Sequence, residues 1–319
     1  MKVIFLGTPE FAAPSLGALL KTPWIEVLAV CTQTDKEAGR GKKITEPPVK
    51  KLANEYGLLV FQTEKIAKEK DTIRKIKELK PDVLVSCAYG QILNEEILNI
   101  CQHGVINVHG SLLPKYRGAA PINQAILNGE TETGITIMKT ELGLDTGPII
   151  LQEKCDIQEE ETSIQLSKKL SFLGANILIK ALELIRDGKA SYILQDHKAA
   201  TKAPSMKKEL GLIQWNETSR EIHNKVRGLQ PWPSAYTHFN GKVVKIWETK
   251  RQGEEEMGQN AGGAMGKSSG TIIEIGDYVK VKTQDGFIDI YKVQPENRNV
   301  IKAKDWVNGA RVKIGDKFA

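Results

Sequence analysis

Residues Val105 to Pro121 read Val-Ile-Asn-Val-His-Gly-Ser-Leu-Leu-Pro-Lys-Tyr-Arg-Gly-Ala-Ala-Pro. The apolar residues Val105, Ile106 and Val108 predict a buried strand. Alternation places Asn107 and His109 on one face of it, because residues two apart point the same way. Gly110, Pro114, Gly118 and Pro121 punctuate a loop that re-enters helix near Ile122. An amide and an imidazole at the carboxyl end of such a strand occupy the place where open α/β sheets bind ligands. Taken singly, Asn107 reads equally well as a satisfied buried amide and His109 as an ordinary loop histidine.

Upstream of this stretch, Lys2–Leu6 is of strand type, Gly7-Thr8-Pro9 is a turn, and Phe11–Leu20 has helical periodicity. This resembles a dinucleotide-binding start, but the positions after Gly7 that should be glycine are Pro9 and Ala12, which disfavours a nicotinamide cofactor. Further strands are expected at Glu26–Thr32, Leu58–Phe61 and Asp82–Cys87, separated by helical stretches, with Asp35–Glu46 as a polar loop. Downstream, Gly134–Thr140 and Ile149–Ile157 read as strands around a glycine-punctuated loop carrying Asp145. Thr162–Arg186 is a long amphipathic helix with Leu166, Leu170, Leu173, Ile177 and Leu184 on one face. Strands alternating with helices predict an α/β, doubly wound, mainly parallel Rossmann-like sheet over residues 1–188. Residues 189–210 read as a linker. Over residues 211–319 the pattern changes to short strands with turn signals at Asn240-Gly241, Gly276-Asp277 and Asp285-Gly286, as expected of a small C-terminal β-barrel of the OB type. Gly266-Lys267-Ser268 mimics a phosphate loop, but position 261, which should be glycine, is Ala261 and no strand leads in, so no nucleotide site is expected there.

The chain has 319 residues, 40% of them hydrophobic, enough for about two packed domains. No apolar run approaches the ~18–20 residues of a membrane span, and the N-terminus lacks a cleavage pattern, so a cytoplasmic protein without membrane contact is expected. Cys31, Cys87, Cys101 and Cys155 are scattered, which predicts free thiols and no metal site. The net charge of +6 is unevenly spread: residues 1–200 hold 25 basic and 25 acidic side chains, residues 201–319 hold 20 and 14. A basic C-terminal module behind a neutral α/β module points to a polyanionic partner. Arg40, Lys42 and Lys43 form a second basic cluster, which reads either as part of an ordinary mobile surface loop or as an arm that orders on phosphate backbone.

Asn107, His109 and Asp145 together are the parts needed for acyl transfer to an amine. The amide can stabilise an oxyanion, and a carboxylate can orient an imidazole that handles the proton of the attacking nitrogen. Ser111 opens a proline-bounded loop and is not placed as a nucleophile, so direct transfer is expected.

The run Asn107-Val108-His109-Gly110-Ser111-Leu112-Leu113-Pro114-Lys115-Tyr116-Arg117-Gly118-Ala119-Ala120-Pro121-Ile122, with Asp145-Thr146-Gly147-Pro148 downstream, resembles the signature of the 10-formyltetrahydrofolate-dependent formyltransferase family. Phe5-Leu6-Gly7-Thr8-Pro9-Glu10-Phe11-Ala12, Gly39-Arg40-Gly41-Lys42-Lys43 and Leu229-Gln230-Pro231-Trp232-Pro233-Ser234-Ala235 are similar to the branch of that family acting on methionyl-tRNA. The resemblance implies Asn107, His109 and Asp145 as the catalytic set. It also implies folate contacts at Ser111, Leu112, Leu113, Pro114, Tyr89 and Gly90, and tRNA contacts at Arg40, Lys42, Lys43, Lys207 and Lys208. The implied reaction is formylation of initiator methionyl-tRNA from 10-formyltetrahydrofolate, by a monomer of bacterial type without a metal. The rival with the same three residues is a formyltransferase for a small amine, such as glycinamide ribonucleotide or an amino sugar, for which a basic C-terminal module has no evident use. A non-catalytic RNA-binding protein is the rival from another class.

Overall fold

The computed structural model describes residues 1–38, 43–251 and 267–319. They form two compact units: Met1–Pro121, Glu132–Asp156 and Ser167–Pro204 in the first, and Ile122–Thr131, Ile157–Leu166 and Ser205–Ala319 in the second.

The first unit is built on β1 (Lys2–Gly7), β2 (Glu26–Thr32), β3 (Lys36–Ala38), β4 (Lys43–Thr45), β5 (Leu59–Gln62), β6 (Val83–Cys87), β7 (Val105–His109), β8 (Arg117–Gly118), β9 (Glu132–Lys139), β10 (Ile149–Asp156) and β11 (Lys202–Ala203). Its main sheet has seven strands in the order β10-β9-β7-β6-β1-β2-β5. The five strands from β7 to β5 run parallel, whereas β9 is antiparallel to both β7 and β10, so the expected mainly parallel sheet is mixed at one end. The central strands β1 and β6 are buried throughout their apolar runs, with Val3, Ile4, Phe5, Leu6, Val83, Leu84 and Val85 at 0% exposure. Such continuous burial is what a sheet covered on both faces requires. From β1 the strand order departs in both directions, and the carboxyl ends of β1, β6 and β7 therefore border the crevice where this topology binds ligands.

Two segments depart from the sequence-based expectation. The polar stretch Asp35–Glu46, expected as a loop, carries the antiparallel pair β3–β4, with Lys36 opposite Thr45 and Ala38 opposite Lys43. Strands of three residues are too short for alternation to announce them. Residues 189–204, expected as part of a linker, belong to the first unit: β11 pairs in parallel with β8, Lys202 beside Arg117 and Ala203 beside Gly118.

The second unit holds β12 (Ala235–Phe239), β13 (Lys242–Arg251), β14 (Ile272–Ile275), β15 (Val279–Lys282), β16 (Phe287–Pro295) and β17 (Ile301–Lys302). They form an antiparallel sheet in the order β12-β13-β16-β15-β14, with β17 on β16. Among the described residues no ladder joins β14 to β12, which a closed barrel of the OB type needs; the pairing shows an antiparallel sheet domain. Asn240 and Gly241, with φ of 49° and 73°, make the expected two-residue hairpin turn. The core of this unit is aromatic at one end, where Phe318 stacks on Trp215 at 5.1 Å and on Trp306 at 5.7 Å between ring centroids.

His223, in the helix Ser219–Gly228, is buried in this unit with Nδ1 3.0 Å from Thr249 Oγ1 and Nε2 3.2 Å from the Glu159 carbonyl oxygen. Burial pushes its pKa down to about 4, against the opposing pull of the Glu159 carbonyl. Glu160, 3.9 Å from Nε2, is largely exposed and does not reverse the shift. The folded pKa lies below the unfolded value of ~6.5. The contribution to stability is therefore complete above that value and is lost as pH falls toward 4. Denaturant unfolding at pH 7 and pH 4 is expected to differ by on the order of 3 kcal/mol through this group. The His223→Gln variant should lack that component of the difference.

Candidate active site

β7 supplies two of the functional groups. Across the parallel ladder Ser86 lies beside Asn107, and Ser86 Oγ donates to Asn107 Oδ1 at 2.8 Å. With its oxygen engaged, the half-buried Asn107 amide offers Nδ2 as the donor. His109, two residues on, is 6% exposed, and its Nε2 lies 3.0 Å from the Tyr116 carbonyl oxygen. A carbonyl can only accept, so this contact assigns the proton of the neutral ring to Nε2 and leaves Nδ1 as a lone-pair acceptor. Asp145 Oδ2 faces that same Nδ1 at 3.7 Å. A proton arriving on Nδ1 therefore creates an imidazolium already opposite a carboxylate, and the attraction develops with the transfer itself.

The loops that bring these groups together are tightly held. Thr136, opposite His109 across the β7–β9 ladder, donates from Oγ1 to the Ser111 carbonyl at 2.6 Å and accepts from the Leu113 amide at 3.1 Å. Gln152 Nε2 donates to the Leu113 carbonyl and to Thr136 Oγ1, both at 2.8 Å. Ser111 Oγ is spent on the Lys115 carbonyl at 2.7 Å. The Tyr116 amide donates to Thr201 Oγ1 at 2.8 Å and the Arg117 amide to the Thr201 carbonyl at 2.9 Å, which ties the loop to residues 201–203. The two residues that meet the imidazole at its opposite nitrogens, Tyr116 and Asp145, have φ of 63° and 51°. Side-chain-bearing residues seldom occupy that left-handed region, and strain of this kind persists where the surroundings impose it.

Gly118 links the two loops. Its amide donates to Asp145 Oδ2 at 2.8 Å, its φ is 127°, and a Cβ there would run into the Ala203 carbonyl oxygen. Gly118→Ala is expected to separate β8 from β11 and shift the carboxylate, lowering kcat by roughly 10- to 100-fold. Steady-state kinetics beside a thermal melt check this; a variant with wild-type kcat would detach Gly118 from the site.

Residues 1–182 match the family described as formyl transferase, and residues 205–311 match the formyl transferase C-terminal domain. The chain belongs to the formyltransferase family. It is 44% identical to the methionyl-tRNA formyltransferase of Clostridioides difficile (strain 630), over 99% of each chain. It is 43% identical to that of Acetivibrio thermocellus, again over 99% of each. A solved N-formyltransferase from Helicobacter canadensis, in complex with folinic acid and dTDP-3-aminofucose, superposes with a TM-score of 0.66 over 92% of this chain and 98% of that one; at 22% identity the likeness is one of fold.

In this formyltransferase the remaining expected site residues fall into distinct settings. Leu113 is 3% exposed and packs with Met138 and Ile149, while Leu112 and Pro114 are half-buried. The Tyr89 ring is buried in the core of the first unit, with its hydroxyl 3.3 Å from Thr63 Oγ1; its carbonyl accepts from Thr8 Oγ1 and Gln33 Nε2, both at 3.0 Å. Gly90 follows at φ 77°. Lys207 and Lys208 are exposed in the second unit. Arg40 and Lys42 lie outside the described residues, and Lys43 opens β4. No group of three or more His, Cys, Asp or Glu side chains arranged to hold a metal occurs among the described residues, nor does any helix long and apolar enough to cross a membrane. Sequence reasoning passed over Ser86, Thr136, Gln152 and Thr201. Ser86 leaves a signal, a lone polar residue opposite Asn107 in an apolar strand; the others act through backbone groups distant in sequence.

Proposed function

We propose that this formyltransferase moves the formyl group of 10-formyltetrahydrofolate onto the α-amino group of methionine esterified to initiator tRNA, acting as a cytoplasmic monomer. The observation that carries the chemistry is His109 Nδ1, left as a proton acceptor opposite Asp145 and two residues from an amide whose oxygen is already engaged. The whole-length likeness to methionyl-tRNA formyltransferases supports the choice of acceptor over a small amine.

A free α-amine titrates near ~7.7–8.0, and an adjacent ester lowers that further, so much of the acceptor is neutral and nucleophilic at neutral pH. Asn107 Nδ2 donates to the formyl oxygen as it gathers negative charge under attack. His109 Nδ1 takes the proton from the attacking nitrogen, and Asp145 stabilises the imidazolium that results. Collapse breaks the bond from the formyl carbon to the folate nitrogen, and His109 returns the proton to that leaving nitrogen. One C–N bond forms as another breaks, with no change of oxidation state. In the proposed reaction Ser111, Leu112, Leu113 and Pro114, with the Tyr89–Gly90 turn, line the folate side of the cleft, and Lys207, Lys208, Arg40, Lys42 and Lys43 contact tRNA phosphates. Incubation with 10-formyltetrahydrofolate and charged initiator tRNA should yield formylmethionyl-tRNA, with charged elongator tRNA a much poorer acceptor. Preferential formylation of glycinamide ribonucleotide or an amino sugar nucleotide would replace the acceptor.

A further inference from the structure

The carbonyl groups of Asp145 and Gly147 both meet one side chain from a distant part of the first unit. Gln195 Nε2 donates to the Asp145 carbonyl oxygen at 2.9 Å and to that of Gly147 at 2.7 Å. Gln195 Oε1 in turn accepts from Arg117, at 3.1 Å from Nε and 2.7 Å from Nη2. Carbonyls only accept and guanidinium groups only donate, so these partners fix which way the amide points. Gln195 is 6% exposed. The segment that carries it is anchored on both sides: Ile193 exchanges backbone hydrogen bonds with Ile149 at 2.8 and 2.9 Å, and His197 Nδ1 lies 3.1 Å from Arg117 Nη2.

These contacts close a circuit around the reacting pair. From His109 Nε2 it passes to the Tyr116 carbonyl, along the chain to the Arg117 guanidinium, through the Gln195 amide to the Asp145 backbone, and from the Asp145 carboxylate back to His109 Nδ1. Two of these links, from the Gln195 amide and to the His109 ring, fall on Asp145 itself, whose backbone sits at a φ that side-chain-bearing residues seldom adopt. We infer that Gln195, held by Arg117, is a positioning residue for formyl transfer, keeping the Asp145 loop folded so that the carboxylate faces His109. The inference rests on the function proposed above. It adds to it that residues 192–203 act as a strap over the catalytic loop.

The test uses the full chain with Gln195→Met, which keeps the size and loses both halves of the amide, and Gln195→Glu, which keeps an acceptor for Arg117 and loses the donors to Asp145 and Gly147. Both are expected to lower kcat by roughly 10- to 100-fold, with KM for the folate and the tRNA and the melting temperature little changed. In an Asp145→Asn background the same substitutions should alter kcat by less than about twofold, because residues acting through one another are not additive. Wild-type kcat in the Gln195 variants, an equal fold-loss with and without the Asp145 carboxylate, or failure of both variants to fold would overturn the positioning role. A wild-type protein inactive toward methionyl-tRNA would instead count against the proposed function.

Discussion

Replacing His109 with glutamine is expected to lower kcat for methionyl-tRNA formylation by roughly 10²- to 10⁴-fold, the range associated with a lost general base. Glutamine is chosen because its amide nitrogen can still donate to the Tyr116 carbonyl, which now receives His109 Nε2 at 3.0 Å. The loop contact survives while the acceptor at Nδ1 disappears. The ring is buried and its Nδ1 lies opposite Asp145, so a glutamine side chain leaves no other imidazole in that position. Single-turnover rates with preloaded folate separate the chemical step from product release. A rate within a few-fold of wild type would mean that the proton leaves the amine by another route.

Asn107→Ala is the second large effect. Removing one donor to a developing oxyanion typically lowers kcat by roughly 10²- to 10³-fold, about 2.7–4 kcal/mol of transition-state stabilisation. The substrate's formyl oxygen is a weaker acceptor before attack than after, so KM should move less than kcat. The substitution also strands Ser86 Oγ, which donates to Asn107 Oδ1 at 2.8 Å. Ser86→Ala is therefore the control: it keeps the amide and removes only its restraint, and should show a smaller fall in kcat. If Asn107→Ala raised KM and left kcat alone, the amide would be binding substrate and not the transition state.

How far the sequence announced these groups depended on whether a local period existed to announce them. Asn107 and His109 were visible because a five-residue apolar strand has a period of two, and two polar residues in step with it must share a face. Asp145 was visible by its glycine-rich loop. Gln195 and Thr201 sit in a polar stretch that reads as a linker, and the loop carbonyls and amide they hold lie 48 to 85 residues away. Backbone groups are the same for every residue, so such bonds leave no mark on composition. Tyr89 shows the converse: its position at the end of β6 was evident, yet the ring turns into the core and only its carbonyl and the following glycine remain at the turn. The helix Ala303–Ala310, in which Ala303, Trp306 and Val307 are buried at helical spacing, is too short for its period to stand out from the strands before it.

The hydroxyl of Ser111, given over to the Lys115 carbonyl, has a kinetic consequence. With that hydroxyl engaged, the expected route carries the one-carbon unit directly from donor to acceptor, with no covalent stop on the protein. Both must occupy the cleft at once, so initial-rate plots should intersect and labelled donor alone should leave no radioactivity on the protein. If the initial-rate plots do intersect, a single molecule that joins a pteridine to a methionyl-adenosine mimic should span both half-sites together.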